Sequence, residues 1–404
     1  MYSQVSHESG LPKWLIILLA TSIGVIAANL YYAQPLVALI SRSLGIPAEA
    51  AGLVVTLTQL GYGIGVLGLV PLGDMIETRS LVVTMIAFAI CGLLGLAFAT
   101  HPTPYFIAAF ATGLGSAGVQ VIVPYAAHFA SDAKRGQVIG MMTSGLMLGI
   151  MLSRPIASLV SDLLSWHAVF VLSASLMLVI AVALFYLMPP KNVVRDDLRY
   201  FSLLGSMLSL YVTKPLLRRR AIYQAFIFGS FCYFWTAAPL LLGGPAFGFS
   251  QTKIAIFALV GITGAVSAPF AGRAADRGWV APATLFALLI SMAAFLITVI
   301  FTMGSVASLA TLVVGAILLD AGVTANLVLG QRVIFELGAS FRSRLNALYI
   351  ATIFIGGATG STLGSWAFAK GGWELTAWVG TAMPLAAPLF FSTEFIGQTK
   401  EKSR

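Results

Sequence analysis

Of the fourteen carboxylic acids in the 404 residues, thirteen fall in turns, in tails or at the ends of apolar stretches. Asp320 alone lies deep within one, about fourteen residues into the run 306–330. A charge at such depth in a bilayer costs about 2.5–3.5 kcal/mol on insertion scales, and such residues usually face a cavity or a partner. A carboxyl so placed binds or releases a proton in response to its surroundings. That is the chemistry of proton coupling. The alternative is a buried acid that only ties helices together. Arg154 is the one base inside an apolar run. Two roles are open to it. It either recognises an anionic solute or pairs with Asp320, or its long stem reaches outward to headgroups or to Asp162.

Uncharged polar groups gather at similar depths. Asn29, Tyr31, Tyr32 and Gln34 follow one another in the first apolar run. Positions 29 and 32 share one helical face, and 31 and 34 or 35 an adjacent one. Gln59, Gln120, Thr324 and Asn326 add amides and a hydroxyl, and Tyr233 and Trp235 add aromatic surface. Such groups around an otherwise apolar cavity suit a small organic solute with a few polar atoms. Hydrogen bonding between helices is the other reading, worth about 0.6 kcal/mol per bond in membranes.

What positions these residues is a bilayer. The chain is 59% hydrophobic and 9% charged, where a soluble domain carries about 25% charged residues. Apolar runs at 14–40, 50–72, 80–99, 104–129, 136–161, 167–188, 219–242, 251–271, 281–303, 306–330, 343–368 and 373–393 each reach the ~20 residues that span the hydrocarbon core. They show no alternation, so they are helices, which satisfy their own backbone polar groups, and not barrel strands. The sequence therefore predicts an all-α membrane protein of twelve transmembrane helices. Counting the spans with both ends inside puts 19 of the 23 Lys and Arg on one side and only Arg42, Lys253 and Lys370 on the other. This is the positive-inside bias, and it predicts a multi-pass protein of the cell (inner) membrane with both termini cytoplasmic. It also explains the net charge of +9 without nucleic acid as a partner. No cleavable signal is expected, since Met1–Pro12 is a short polar tail before a long apolar run.

The chain reads as two copies of one unit. Pro189-Pro190 opens a connection with Lys191, Arg195 and Arg199 at one end and Lys214 and Arg218–Arg220 at the other. Its middle, 198–212, mixes apolar and small polar residues as an interfacial helix does. Residues 1–188 and 219–404 are then two pseudo-symmetric six-helix bundles joined by the linker 189–218. Ser116-Ala-Gly-Val-Gln120 echoes Asp320-Ala-Gly-Val-Thr324, Arg135 echoes Arg344, and Trp166 echoes Trp373, at offsets near 205. Parallel repeats put a binding site at the midplane between the halves.

The short turn Gly68-Leu-Val-Pro-Leu-Gly-Asp74-Met-Ile-Glu-Thr-Arg79 joins the second and third runs, and Pro269-Phe-Ala-Gly-Arg273-Ala-Ala-Asp276-Arg277-Gly278 joins the eighth and ninth. These acidic turns and the 6+6 layout resemble the major facilitator superfamily. Asn29-Leu-Tyr-Tyr-Ala-Gln-Pro35, Thr56-Leu-Thr-Gln-Leu-Gly61 and Arg344-Leu-Asn-Ala-Leu-Tyr349 are similar to a bacterial branch near the drug:proton antiporters and arabinose-efflux-type permeases. The turn keeps Leu72, Asp74 and Arg79 of the family pattern, with Met75, Glu77 and Thr78 where Arg, Gly and Arg are usual. The span-4 arginine usual in drug:proton antiporters has no counterpart between Pro104 and Ala127. The resemblance implies two bundles rocking about a midplane site, with Asp74, Arg79, Asp276 and Arg277 at a cytoplasmic gate. It makes Asn29, Tyr32, Gln34, Gln59, Gln120, Arg154, Tyr233, Trp235, Thr324 and Asn326 candidates for substrate contact and Asp320 the candidate proton site.

Several other chemistries find no support. Gly113-Leu-Gly-Ser-Ala-Gly118 matches G-x-G-x-x-G but lies inside an apolar run with no strand before it. Its glycines, like Gly61 and Gly65, and Gly356, Gly360 and Gly364, read as helix-packing positions. No Walker lysine motif, HExxH or Cys/His cluster occurs, and Cys91 and Cys232 both lie within apolar runs. Neither an enzyme nor a cofactor is expected. The expected function is export of a small organic solute by proton-coupled antiport, by a protein acting as a monomer in the lipid bilayer. Proton-linked symport, uncoupled facilitation, and a transporter-like receptor or scaffold are the alternatives.

Overall fold

The computed structural model describes residues 11–131, 134–190, 199–338 and 341–402, and these are helical throughout, with no strand among them. Lys191 and Arg195 of the linker lie outside the described residues. Among the described residues ten helices are long and apolar enough to cross a membrane. The last of these, Arg342–Lys402, is two helices joined at Gly371 and Gly372, the latter at φ 59°, which a residue with a Cβ adopts only under strain. The first apolar run, Lys13–Ala28 continuing through Val37–Leu44, is interrupted and so falls short as a single helix. Counting these two corrections gives the twelve expected spans.

That first interruption leaves the predicted pairing of 31 with 34 in place, since both side chains meet Arg154. α-Helical bonding stops at Ala28, passes through turns and a 3₁₀ turn at Gln34–Leu36, and resumes at Val37. Pro35 lies in the 3₁₀ turn. It has no N–H to donate back along the helix, and its ring crowds the preceding turn. Two further spans break near the middle. Pro102–Ser116 gives way to Val119–His128 at the Gly118 end of the glycine-rich stretch. Gln251–Ala258 passes through a 3₁₀ segment, Leu259–Ile262, into Thr263–Asp276.

Close packing rests on glycines used alike in the two halves. A methyl group on Gly149 would stand 2.0 Å from Gly24 O, and one on Gly145 2.2 Å from Ala20 O. In the second half a methyl on Gly360 would stand 1.9 Å from Gly229 O, and one on Gly356 2.2 Å from Ala225 O. Helices this near exclude lipid and gain dispersion contacts along their whole length, which is what associates helices where water exerts no hydrophobic pressure. The Gly113 position abuts Thr58 O in the same manner, at 1.9 Å.

The two halves are tied most firmly on the face opposite the linker. Gly52 N donates to Ser365 Oγ at 2.8 Å, Thr56 Oγ1 lies 2.9 Å from Thr362 Oγ1, Lys370 Nζ lies 3.6 Å from Glu49 Oε1, and Thr252 Oγ1 bonds Asp162. On the linker face the helix Tyr200–Thr213 lies across the bundle and buries Leu203, Met207 and Leu210 at helical spacing. Tyr200 Oη donates to Gly68 O at 2.9 Å, and Arg344 Nη1 donates to Ser206 Oγ at 2.9 Å. This helix therefore touches the acidic turn of one half and the start of the Arg342 helix of the other.

Candidate functional site

Between the halves lies a cavity of about 120 Å³ walled by the broken first span and by spans 2, 4, 5, 7, 8, 10 and 11. Aromatic and aliphatic side chains make most of its wall, Phe228, Phe231, Phe354, Met147 and Ile150 among them. Its polar groups are few: Tyr31, Tyr62, Gln120, Arg154, Gln224, Asp320 and Thr324.

Arg154 and Asp320, the two charges singled out in the sequence, meet here from opposite halves. Both are almost completely buried, 2% and 3% exposed. A methyl group on Gly261 would stand 3.0 Å from Asp320 Oδ2 and 3.3 Å from Arg154 Nη1, so both groups face that glycine. The 3₁₀ segment Leu259–Ile262 brings Gly261 to this point. Burying two opposite charges is tolerable only when they are close and further hydrogen-bonded. Arg154 Nε donates to Gln34 Oε1 at 2.7 Å, and Trp235 Nε1 donates to Asp320 Oδ1 at 2.9 Å. The guanidinium also lies 4.5 Å from the Trp235 ring, 4.8 Å from Phe231 and 5.2 Å from Tyr31. Ring faces attract a cation, and more strongly away from water. No hydrogen bond joins Arg154 to Asp320 among the described residues, and Arg154 Nη2 is a buried donor without a partner. Arg154 is thus an interior cation. Asp162, its other sequence-level partner, is engaged by Thr252.

The remaining candidates divide. Gln120 and Thr324 line the cavity beside the pair. Gln34 and Trp235 stand behind it as the supports just described. Asn326 Nδ2 donates to Gln224 Oε1 at 2.7 Å, and Gln224 Nε2 donates to Val323 O, which holds Gln224 in the wall. Gln59 Nε2 bonds Cys232 Sγ at 3.2 Å across the halves. Three candidates point elsewhere. Asn29 Oδ1 accepts from Ser173 Oγ at 2.6 Å, and Tyr233 Oη donates to Thr376 O at 2.7 Å, each within its own half. Tyr32 lines a separate groove of about 450 Å³ between the first, fifth and sixth spans. Tyr31, on the adjacent face with Gln34, is the tyrosine that lines the central cavity.

Residues that the sequence did not bring forward extend from the wall at Tyr62 and Gln120. Tyr62 Oη accepts from Gln120 Nε2 at 2.9 Å, Gln120 Oε1 accepts from Asn346 Nδ2 at 3.1 Å, and Asn346 Oδ1 accepts from Gln331 Nε2 at 3.1 Å. This chain of amides crosses from one half to the other. Its one available signal was the occurrence of amides in otherwise apolar spans, which says nothing about partners. Of the gate candidates, Asp74 shares a small cleft with Arg344 and with Leu203 and Met207 of the linker helix. Arg79 bonds within its own half, 3.7 Å from Glu77 and 3.4 Å from Phe185 O. Glu77 itself caps the helix Thr78–Phe98, accepting from Arg79 N and Ser80 N. Asp276 lies 4.0 Å from Arg332, and Arg277 lies over Trp279, 5.7 Å from the ring centre. Among the described residues no group of three metal-ligating side chains occurs.

A model of the Major Facilitator Superfamily matches residues 19–307. The chain belongs to that superfamily. Over 380 residues it is 38% identical to the uncharacterized transporter YgaY of Escherichia coli, covering 94% of this chain and 95% of the relative. A probable transporter of Streptomyces coelicolor is 30% identical over 357 residues, covering 88% and 82%. Among solved structures, that of the nucleoside transporter NupG superposes with a TM-score of 0.77 at 13% identity, covering 94% of this chain and 100% of its own. A bacterial homolog of the human lysosomal transporter Spinster, in an inward-facing and unoccupied conformation, superposes with 0.72 at 13% identity, covering 96% and 97%. The protein is a multi-pass membrane transporter of the major facilitator fold, and the Arg154–Asp320 pair lies where the two halves of that fold meet.

Proposed function

We propose that this major facilitator protein exports a small organic solute by proton-coupled antiport, two bundles (1–188 and 219–404) rocking about the central cavity on the hinge of the linker 189–218. The linker face is the cytoplasmic one, in the inner membrane, because it carries most of the Lys and Arg. The working unit is a monomer, since each chain has its own cavity between its own halves. A place near the drug:proton antiporters and arabinose-efflux-type permeases belongs to the same proposal.

The observation that carries the reading is the buried Asp320 facing Arg154 across the interface of the halves. Each charge is the other's compensation in a buried site, so a proton arriving on Asp320 leaves Arg154 uncompensated. The interface then favours a different arrangement of the halves, and a two-state element with a proton-dependent balance is what coupling requires. Solute and proton alternate at the carboxylate. Asp74, in the cleft with Arg344, biases the linker-face closure.

The test is flux in liposomes. Purified protein is screened by thermal shift against a compound library, and stabilising compounds are assayed with and without a pH gradient. Parent protein is expected to accumulate the solute only with the gradient, and Asp320→Asn, which imitates the protonated acid, to lose accumulation. Full gradient-driven transport by Asp320→Asn would remove this residue from the mechanism.

A further inference from the structure

We infer that the central site recognises an uncharged solute that presents a hydrogen-bond acceptor and an N–H or O–H donor side by side, as a primary carboxamide or lactam does, on an apolar body. The inference rests on the transport reading above and names its substrate class. Three polar atoms of the pair carry no hydrogen bond among the described residues: Arg154 Nη1 and Nη2, which are donors, and Asp320 Oδ2, an acceptor. Nη1 and Oδ2 both face Gly261, which has no side chain to fill the space between them. One edge of the cavity thus offers a donor and an acceptor next to each other.

The charge of the solute follows from that edge. Arg154 and Asp320 sum to zero, and a buried site tolerates no large imbalance. A carboxylate on Arg154 would stand against Asp320, and an ammonium on Asp320 would stand against Arg154. A zwitterion balances the charges, but its ammonium needs three acceptors, and Asp320 Oδ2 is the one free acceptor of the pair. An amide edge takes a hydrogen bond from Arg154 through its carbonyl and gives one to Oδ2 through its N–H, with no net charge brought in. Its body lies against Phe228, Phe231 and Phe354. Proton and solute then compete. Protonated Asp320 is itself a donor, so it no longer accepts from the amide. The titratable groups that line the cavity with the carboxylate are Arg154, Tyr31 and Tyr62, and the span carrying Gly261 contributes only Gly261, Gly264 and Ala265 to the wall.

The test uses one ring with five head groups: benzamide, N,N-dimethylbenzamide, benzoate, benzylammonium and phenylalanine, titrated onto the purified full chain by calorimetry. Benzamide is expected to bind about tenfold or more tighter than each of the others, because a site built to hydrogen-bond a group rejects the analogue lacking it. Its affinity is expected to fall as the pH is lowered, and to lose that dependence in Asp320→Asn. Gly261→Ala, which puts a methyl group between Nη1 and Oδ2, is expected to abolish benzamide binding while the protein stays monodisperse with an unchanged melting temperature. Equal binding of benzamide and its dimethyl analogue, tightest binding of benzoate, benzylammonium or phenylalanine, or no binding by any probe would each overturn the inference. Should another compound show Asp320-dependent, gradient-driven flux while the five probes fail, the substrate class falls and the transport reading stands. Should benzamide bind as expected while no compound shows gradient-driven flux, the reverse holds.

Discussion

The indole of Trp235 holds Asp320 Oδ1 at 2.9 Å while its ring lies 4.5 Å from the Arg154 guanidinium. One side chain therefore supports both charges, donating to the anion and offering its face to the cation. Trp235→Phe removes the donor and keeps much of the ring. A hydrogen bond to a charged group is worth about 1.5–3 kcal/mol, so Trp235→Phe is expected to lower the melting temperature by several degrees. In a double-mutant cycle with Asp320→Asn the two losses are expected not to add, with a coupling of about 0.5–3 kcal/mol. Strict additivity would show that the bond contributes nothing.

Gln120 and Asn346 close the cavity toward the linker face, 3.1 Å apart and from opposite halves. Asn346→Ala is expected to open that side. A cysteine placed at Thr324, in a background with Cys91 and Cys232 replaced by alanine, reports on it. Its labelling by an aqueous thiol reagent added from the linker side should be several-fold faster in Asn346→Ala. An unchanged rate would mean that the amide chain does not gate.

Asp74 shares its cleft with Arg344 at the start of the Arg342 helix. A carboxylate at a helix N-terminus is favourable by about 0.3–1 kcal/mol, so Asp74→Asn is expected to shift the balance of conformations up to about fivefold toward opening on the linker face. Spin-label distances between the linker-face ends of the two halves measure this. Superimposable distance distributions for Asp74→Asn and the parent would dismiss the latch.

The packing glycines make a contrast within one protein. A methyl on Gly360 would stand 1.9 Å from a backbone oxygen, whereas nothing lies within 4 Å of one on Gly136. Gly360→Ala is expected to force the helices apart and to reduce the melting temperature sharply. Gly136→Ala, in the helix Arg135–Leu163, is expected to be neutral or to gain about 0.5–1 kcal/mol from helix propensity. Thermal unfolding in detergent of both variants beside the parent checks the pair.

Legibility ran along physical lines. Membrane insertion acts on each segment by itself, so spans, their number and the lysine and arginine bias were readable from local composition. The depth of Asp320 and Arg154 was readable for the same reason. The glycine positions were readable too, because a small residue every fourth place marks a helix face whatever the partner. Which side chains share a cavity was not, because that depends on where helices break and how they rotate. Tyr31 turns inward and Tyr32 to a lateral groove, and local hydrogen bonds hold Asn29 and Tyr233 inside their own halves. The meeting of Arg154 with Asp320, the Trp235 and Gln34 supports and the Gln120–Asn346 bridge join residues far apart in the chain. The Gln34 and Trp235 hydrogen bonds need their own bundle folded, and the other two contacts exist only once two bundles dock, which is a property of surfaces that no stretch of the sequence carries alone.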